Sequence, residues 1–438
     1  MFEFAIKSSN MSTMDKLRKH VGKALKWSEK YTNTDMVYLT KGGTWLTIGH
    51  FVSTLSAFLL AIAFANFLPK EVYGTYKFIL SIAGILTITS LGGLNTSISQ
   101  AVSRGFEGSF YLGLKTKIKW GILGAVGSLG ISLYYYLNAN ELLSMAFLSI
   151  AIFMPFFDSI ALYESYLQGK KLFKESIVYF TLSRLITFVA ILLSIVYSNE
   201  IIFILLSYFI SWTLVRLLFL YLSIRKFPPN DKIDTSTTSY GKHLSLIGII
   251  SSASNYLDSL VLFHFLGPIQ VAIYTFAFAP IEQIRSAYKN IPLLAVPKLS
   301  NNSISDINRL YWSRIYKLTL VGIFVAITYL FMAPHLFDIF FPQYPEAIFF
   351  SQLLAIILVL RLPLSFSSAV LQSKLNITPK SWLYWRGVSS FIIIIALLIL
   401  TPLYGIIGVV MSRIIFVISQ LVTQLVQWQM FVKGRHEK

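Results

Sequence analysis

The sequence predicts an all-α polytopic membrane protein with twelve transmembrane helices arranged as two lobes of six. The composition is strongly apolar, long apolar runs recur along the chain, and basic residues collect on alternate connections. Of the 438 residues, 55% are hydrophobic and 13% are charged, whereas about a quarter are charged in an ordinary soluble domain. This composition excludes soluble enzymes and disordered scaffolds, and the absence of cysteine excludes disulfide-stapled folds.

Twelve apolar runs are each long enough to cross a membrane as a helix. About 20 mostly apolar residues span the hydrocarbon layer. Strands are not expected, because the runs are too long and lack the alternation of a membrane strand. The runs are 43–67, 78–102, 118–137, 142–162, 177–197, 201–224, 244–266, 269–291, 318–333, 347–371, 382–403 and 406–426.

Basic residues indicate how these helices are oriented. Thirty Lys and Arg residues lie on the N-terminal side of the predicted topology, whereas the other side has only Lys70 and Lys77 near its connections. Because Lys and Arg are enriched in cytoplasmic loops, both termini are predicted to be cytoplasmic. The formal charge of +18 is thereby assigned to topology, and no nucleic-acid partner is expected.

The chain divides at its most polar internal stretch, residues 225–243. A short sequence repeat supports the division. The residues that follow the first run, from Phe67, have a pattern of aromatic and apolar residues similar to those that follow the seventh run, from Phe265. We expect a repeat about the membrane normal with the substrate site between the lobes. The predicted units are a basic lead-in (1–42), an N-lobe (43–224), a linker (225–243), a C-lobe (244–430) and a basic tail (431–438). The lead-in is either an amphipathic helix on the cytoplasmic leaflet or a solvated extension.

Four arginines lie within the predicted spans, where charged residues are rare and tend to be functional. They are the candidate substrate-binding residues Arg184, Arg216, Arg361 and Arg413. Arginine stays charged and presents a planar fork that matches phosphate oxygens. The sequence therefore predicts a cationic, water-filled cavity for phosphate or anionic sugar. The alternative is that these arginines form structural ion pairs or reach lipid headgroups.

Two acids and one histidine in the spans are candidates for ion coupling. Asp258 has no evident partner in the sequence, whereas Asp158 is expected to pair with Arg184 at similar depth. His50, in the first span, is the third candidate, although a histidine there also serves as a hydrogen-bonding residue. H⁺ or Na⁺ is the expected coupling ion, and no other cofactor or metal is predicted.

An enzyme is not predicted. Glu282 and Arg285 lie three residues apart on one helix and are expected to form a structural ion pair. The chain contains no P-loop, HExxH or GxSxG motif. A membrane glycan polymerase or ligase should have a substantial outer loop with catalytic groups, whereas the longest predicted outer connection, near 334–346, is short.

Several short motifs, spread over nearly the whole chain past Lys41, resemble those of polysaccharide flippases. They are FLPKEVYGTY at 67–76, LGGL at 91–94 ahead of Arg104, the segment from Asp258 to Tyr274, PKLS at 297–300, and GIIG at 405–408. In this order and in a twelve-helix frame, the chain is similar to Wzx-type O-antigen or capsule-unit flippases of the MOP exporter superfamily.

The resemblance implies a MOP-type fold and transport of undecaprenyl-diphosphate-linked oligosaccharides across the bacterial inner membrane. The product would serve O-antigen of lipopolysaccharide, capsule or exopolysaccharide, with a polysaccharide polymerase and chain-length proteins as partners. Two other classes of carrier are alternatives. A cation-coupled multidrug exporter of the same superfamily should hold more acids than bases in its cavity. A major-facilitator carrier should have an acidic-basic signature after helix two, which 104–117 lacks.

The predicted topology can be tested with reporter fusions. A fusion after Asn199 should report the periplasm, and one at Asp234 should report the cytoplasm, because the charge bias places these connections on opposite sides. Alkaline phosphatase and a fluorescent protein are suitable reporters. If both fusions report the same side, the topology is wrong.

Overall fold

The computed structural model describes residues 36–288, 296, 299–300, 303–374 and 382–436. These residues are almost all helical and include no strand, so the predicted all-α class is confirmed. Ten helical segments are long and apolar enough to cross a membrane, and Phe51–Phe67 forms a shorter apolar helix. The remaining predicted span, the eighth, is the helix Pro268–Tyr288.

The helices of the first half correspond to the first six predicted spans. They are α1 (Met36–Phe67), α2 (Lys70–Leu86), α3 (Gly93–Ser103), α4 (Ser109–Leu137), α5 (Glu141–Phe157), α6 (Leu162–Gly169), α7 (Phe173–Tyr197) and α8 (Ile201–Lys226). A 3₁₀ turn, Thr87–Ser90, follows α2. Span two is therefore α2 with α3, and span four is α5 with α6.

The helices of the second half continue the pattern. They are α9 (Ser236–Ala253), α10 (Leu257–Leu266), α11 (Pro268–Tyr288), α12 (Ile304–Phe340), α13 (Glu346–Leu354), α14 (Ile356–Ser373), α15 (Trp382–Tyr404) and α16 (Ile406–His436). Span seven is α9 with α10, and span ten is α13 with α14. The domain boundaries proposed from sequence stay a prediction.

Two interruptions in the first half determine where its charged groups lie. In span two the chain leaves the helix at Leu91, whose φ of 60° is left-handed, and helix resumes at Gly93. In span four α5 contains Pro155, which cannot donate a backbone hydrogen bond, and the helix ends at Phe157. These interruptions break the regular helical hydrogen bonding and place polar side chains inside the membrane, where polar groups need a partner.

The two halves approach each other at two glycines. A Cβ on Gly74 of α2 would lie 1.8 Å from the Pro268 carbonyl oxygen of α11, and one on Gly93 of α3 would lie 2.5 Å from the Gly241 carbonyl oxygen of α9. Only glycine permits such backbone approach. Span two therefore packs against spans seven and eight at both contacts.

Aromatic rings fill the contact between the halves. Tyr73 stacks on Phe276 with ring centroids 4.5 Å apart, and Phe78 stacks on Phe263 at 3.7 Å. All four lie among the hydrophobic residues of the largest core cluster or against it. The core is thus continuous across the two halves on the side of span two.

Polar contacts join the halves on the side opposite the linker. Lys70 Nζ lies 2.5 Å from Glu346 Oε1. The Asn66 amide donates to the Phe340 carbonyl at 3.0 Å, and the Gln343 amide donates to the Asn66 carbonyl at 3.0 Å. The turn between α1 and α2 is thereby fastened to the loop between α12 and α13.

The linker is attached to the turn between α3 and α4. Arg104 donates to Asp234 at 2.6 Å, and the Gly108 amide donates to the Lys232 carbonyl at 2.9 Å. The hydroxyl and backbone amide of Ser236 also donate to Asp234. These hydrogen bonds, with the nearby Arg104 charge, hold the pKa of the exposed Asp234 carboxyl below its ordinary value.

Several helices begin earlier than the sequence predicted, and two of them thereby include a lysine that was assigned to a connection. Helix α2 begins at Lys70 and α4 at Ser109, so Lys77 and Lys117, which were assigned to connections, lie within helices. The apolar-run criterion missed these helical turns because each contains lysine. The predicted lead-in lies mostly outside the described residues, and only 36–42 of it belong to α1.

A close contact between α15 and α16 predicts one stability effect. A Cβ on Gly408 would lie 2.0 Å from the Leu400 carbonyl oxygen, so Gly408→Ala should destabilise the protein by about 1–3 kcal/mol through overpacking. Gly130→Ala on α4 is the matched control, because nothing lies within 4 Å of its added Cβ. Thermal unfolding in detergent measures both, and equal melting temperatures would contradict this packing.

Candidate functional site

Ionisable side chains inside the spans form two clusters, one in each half. The N-terminal cluster comprises Lys117, Asp158, Glu164, Arg184 and Arg216, and the C-terminal cluster comprises Asp258, Glu282, Arg285, Arg361 and Arg413. Lys77 of α2 lies within electrostatic range of Glu282, beside the C-terminal cluster. Eight of the clustered residues were predicted from the sequence as site or ion-pair residues, whereas Lys77, Lys117 and Glu164 were not.

Asp158 does not pair with Arg184 as the sequence predicted. Its Oδ2 accepts from Lys117 Nζ at 2.7 Å and from the Ser90 hydroxyl at 2.7 Å. Lys117 also donates to Asn95 Oδ1 at 2.8 Å. The prediction was wrong because α4 carries Lys117 into the membrane, where its fully buried ammonium reaches Asp158 first.

Arg216 is buried and already has an acidic partner. Its Nη2 lies 3.3 Å from Glu164 Oε1, and its guanidinium lies 3.9 Å from the centre of the Trp212 ring. Glu164 follows the interruption of span four, and it was not among the site residues predicted from the sequence. The charge on Arg216 is therefore balanced within the half rather than offered to a ligand.

Arg184 is the open cation of the N-terminal cluster. Its guanidinium lies 4.8 Å from the Trp212 ring centre and 5.3 Å from that of Phe180. The residue is exposed in the isolated chain, and we find no acidic or carbonyl oxygen of a described residue hydrogen-bonded to it. At a rise of about 1.5 Å per residue, it lies about 16 Å from the start of α7.

Asp258 has the partner that the sequence did not reveal. Arg413 Nε donates to Asp258 Oδ2, and the Tyr274 hydroxyl donates to the same oxygen at 2.6 Å. The Arg413 guanidinium also donates to the Asn255 carbonyl at 3.4 Å. Both charged side chains are buried. This arrangement joins α10, α11 and α16, and it leaves Arg413 neutralised by a carboxylate.

Arg361 is the corresponding open cation of the C-terminal cluster. Arg285 contacts Glu282 one turn away on α11, which is the local pair that the spacing predicted. Arg361 lies within electrostatic range of both, but its buried Nε has no hydrogen-bond partner in the described part of the chain. An unpartnered buried guanidinium nitrogen is unfavourable unless a ligand or water satisfies it.

The remaining coupling candidate, His50, lies within α1, and its side chain is outside the described residues. Within the described ranges, no group of three or more His, Asp and Glu residues could hold a metal ion. The two clusters together contain cations in excess of acids. Of the predicted arginines, Arg216 and Arg413 are paired with carboxylates, whereas Arg184 and Arg361 form no salt bridge with a described residue. The buried Nε atoms of Arg216 and Arg361 both lack a hydrogen-bond partner among the described residues.

A profile of the family described as "Polysaccharide biosynthesis protein" matches residues 39–296, more than half of the chain. The chain belongs to this family. The matched region contains the whole N-terminal cluster and the residues of α10 and α11, whereas Arg361 and Arg413 lie beyond it. Comparison with curated protein sequences finds no match.

Solved transporters of the MOP superfamily share the fold. The lipid II flippase MurJ in an inward closed conformation aligns with a TM-score of 0.64 at 16% identity, over 86% of this chain and 86% of that chain. The eukaryotic MATE transporter AtDTX14 aligns with a TM-score of 0.61 at 13% identity, over 89% and 95%. A MOP superfamily transporter from Pyrococcus furiosus aligns with a TM-score of 0.53 at 16% identity, over 91% and 95%. These likenesses confirm the predicted MOP-type fold.

The Arg413 and Asp258 contact predicts a strong coupling between two distant positions. Arg413→Met should destabilise the protein by about 3–5 kcal/mol, because it leaves Asp258 buried without its cation. The double variant Arg413→Met/Asp258→Leu should recover most of this loss, since neither charge remains.

Thermal unfolding of the purified variants measures this coupling. Lys70→Ala, which removes the exposed pair with Glu346, serves as the control and should change stability by about 1 kcal/mol or less. Losses that simply add in the double variant would contradict the structural role of Arg413.

Proposed function

We propose that this protein is a flippase for undecaprenyl-diphosphate-linked oligosaccharide units in the bacterial inner membrane. The units would serve the synthesis of O-antigen, capsule or exopolysaccharide. Membership of the polysaccharide biosynthesis family and the shared fold of MOP transporters support this proposal. In it the lipid-linked oligosaccharide and the bilayer are the partners, and a polymerase and chain-length proteins act on the exported unit.

The observation that carries the proposal is the pair of open arginines, one in each half. Arg184 and Arg361 lie deep in the spans, yet neither is paired with a carboxylate among the described residues. A cation at this depth is unfavourable without a partner, so the arrangement favours an anionic ligand that enters and leaves. Diphosphate and acidic sugars provide such groups, and arginine binds them through parallel hydrogen bonds.

The division of the substrate between protein and lipid follows from solvation. A charged, hydrated oligosaccharide diphosphate cannot cross hydrocarbon unaided, whereas a polyprenyl chain is already dissolved in it. The protein therefore has to shelter only the polar part. In the proposed cycle the halves rock about that part, and Arg184 and Arg361 hold its phosphates or acidic sugars from opposite halves.

Polar contacts on the side opposite the linker support alternating access. The contacts of Lys70 with Glu346 and of Asn66 with Phe340 close this side. Opening toward this side would require these contacts to break. An H⁺ or Na⁺ gradient is the proposed energy source. The two acids proposed for coupling form salt bridges: Asp158 with a lysine and Asp258 with an arginine.

The charge balance also distinguishes the proposal from its alternatives. A multidrug exporter of the MATE type shares this fold, but a cavity for cationic drugs should be rich in free acids, whereas here each acid of the two clusters has a cationic neighbour. A glycan polymerase or ligase is disfavoured because the chain shares its fold with solved flippases and transporters. We therefore propose transport without catalysis.

The proposal predicts that both open arginines are needed for transport. Arg184→Ala and Arg361→Ala should each lower the flipping rate about tenfold or more, because each removes a charge-assisted hydrogen bond to the substrate. The Arg→Lys variants should retain part of the activity, since the charge remains but the fork is lost.

The measurement is flipping of undecaprenyl-diphosphate N-acetylglucosamine in proteoliposomes, together with complementation of a flippase-null strain at matched expression. Arg309→Ala is the matched control, because Arg309 is exposed near the start of α12 and should be dispensable. Normal transport by both alanine variants would exclude a role for these arginines. Transport of a cationic drug instead of the lipid would support the exporter alternative.

A further inference from the structure

The Lys117 ammonium lies in an oxygen-lined site that is formed by three other segments. Asp158 Oδ2 and Asn95 Oδ1 accept from it at 2.7 and 2.8 Å, and Ser90 completes the set by donating to the same Asp158 oxygen. The lysine side chain is 0% exposed, whereas that of Asp158 is 33% exposed. The site is thus closed behind the ammonium and open on the side of the carboxylate.

Both interrupted spans direct the ends of helical segments toward this site. The 3₁₀ turn after α2 ends at Ser90, and α5 ends at Phe157, next to Asp158. The C-terminal end of a helix carries partial negative charge, and such ends, together with unwound carbonyl groups, bind Na⁺ or H⁺ in membrane transporters. The backbone therefore favours a cation here, independently of the carboxylate.

A buried hydroxyl without a partner follows the carboxylate in the sequence. Ser159 directly follows Asp158 and is 0% exposed, yet its hydroxyl has no hydrogen-bond partner among the described residues. A buried hydroxyl without a partner is uncommon and calls for an explanation. The ammonium itself is held by a carboxylate oxygen and an amide oxygen, from Asp158 and Asn95, and these are the kinds of ligand that a hard monovalent cation takes.

We propose that Lys117 is a tethered cation, which occupies a monovalent-cation site between the two interruptions of the first half. The ammonium takes the place of a bound Na⁺ or K⁺ and holds the second parts of spans two and four together. The first half thereby carries its own permanent ion at this position. The proposal does not depend on the transported substrate, because it concerns the site and its occupant alone.

Removal of the lysine side chain should open the site to a free ion. Lys117→Ala leaves the oxygens of Asp158 and Asn95 without their cation and creates the space for one. We expect the melting temperature of the purified full chain to rise by about 2–4 °C in about 100 mM NaCl, KCl or NH₄Cl, compared with N-methylglucamine chloride of equal ionic strength. The wild-type protein should show no such difference between the salts.

Two control variants separate ion binding from a general salt effect. Lys117→Met keeps most of the side-chain volume but lacks the charge, so it should be destabilised and insensitive to the choice of cation. Lys117→Ala/Asp158→Ala lacks the carboxylate and should lose the cation response of the single variant. Uptake of radioactive Rb⁺ by Lys117→Ala, absent from wild type, would report the same site directly.

A folded Lys117→Ala protein with the same melting temperature in all four salts would overturn the proposal. If this variant does not fold, Lys117→Ser is measured in the same way. Failure of both variants to fold in every salt would also contradict it, because a bound ion is expected to replace the missing charge. Loss of glycan transport in these variants tests a different question, and the cation response can be present with or without it.

Discussion

The structure depends on how it accommodates charge inside the membrane. An ionised side chain in hydrocarbon is strongly unfavourable unless an opposite charge or hydrogen bonds compensate for it. Lys117 with Asp158 and Arg413 with Asp258 meet this constraint in the two halves. Each contact also bridges separate helices, so the residues that solve the charge problem simultaneously fix the arrangement of the interrupted spans.

The same constraint separates the arginines proposed to bind substrate from those with a structural partner. Arg216 and Arg413 lie at membrane depth as the sequence indicated, but each is matched by an acid within its own half. Arg184 and Arg361 are not matched in this way, although Arg184 is placed over Trp212 and Arg361 lies near Glu282. The depth of an arginine in the membrane therefore identifies it as a candidate for binding. The absence of a carboxylate partner indicates where the charge of an anionic ligand would be most stabilising.

The sequence was sufficient for features that depend on local patterns. Apolar length predicted the helices, and the spacing of Glu282 and Arg285 on one helix predicted that they would meet. It was insufficient where the partner lies far along the chain: 155 positions separate Asp258 from Arg413. Lys117 was assigned to a loop because hydropathy cannot detect a lysine whose charge is cancelled by a residue 41 positions away.

The contacts between the halves differ in kind from those within each half, which bears on the proposed rocking motion. The Lys70 and Glu346 pair is partly exposed, with side-chain exposures of 28% and 44%, and such pairs contribute about 0–1 kcal/mol. At Gly74 and Gly93 the halves touch through backbone atoms, and the aromatic pairs Tyr73–Phe276 and Phe78–Phe263 also pack between the halves. By contrast, separating Arg413 from Asp258 would leave a buried charge unpaired. In the proposed cycle, motion of the halves would therefore break the partly exposed polar contacts and leave the buried ion pairs within each half intact.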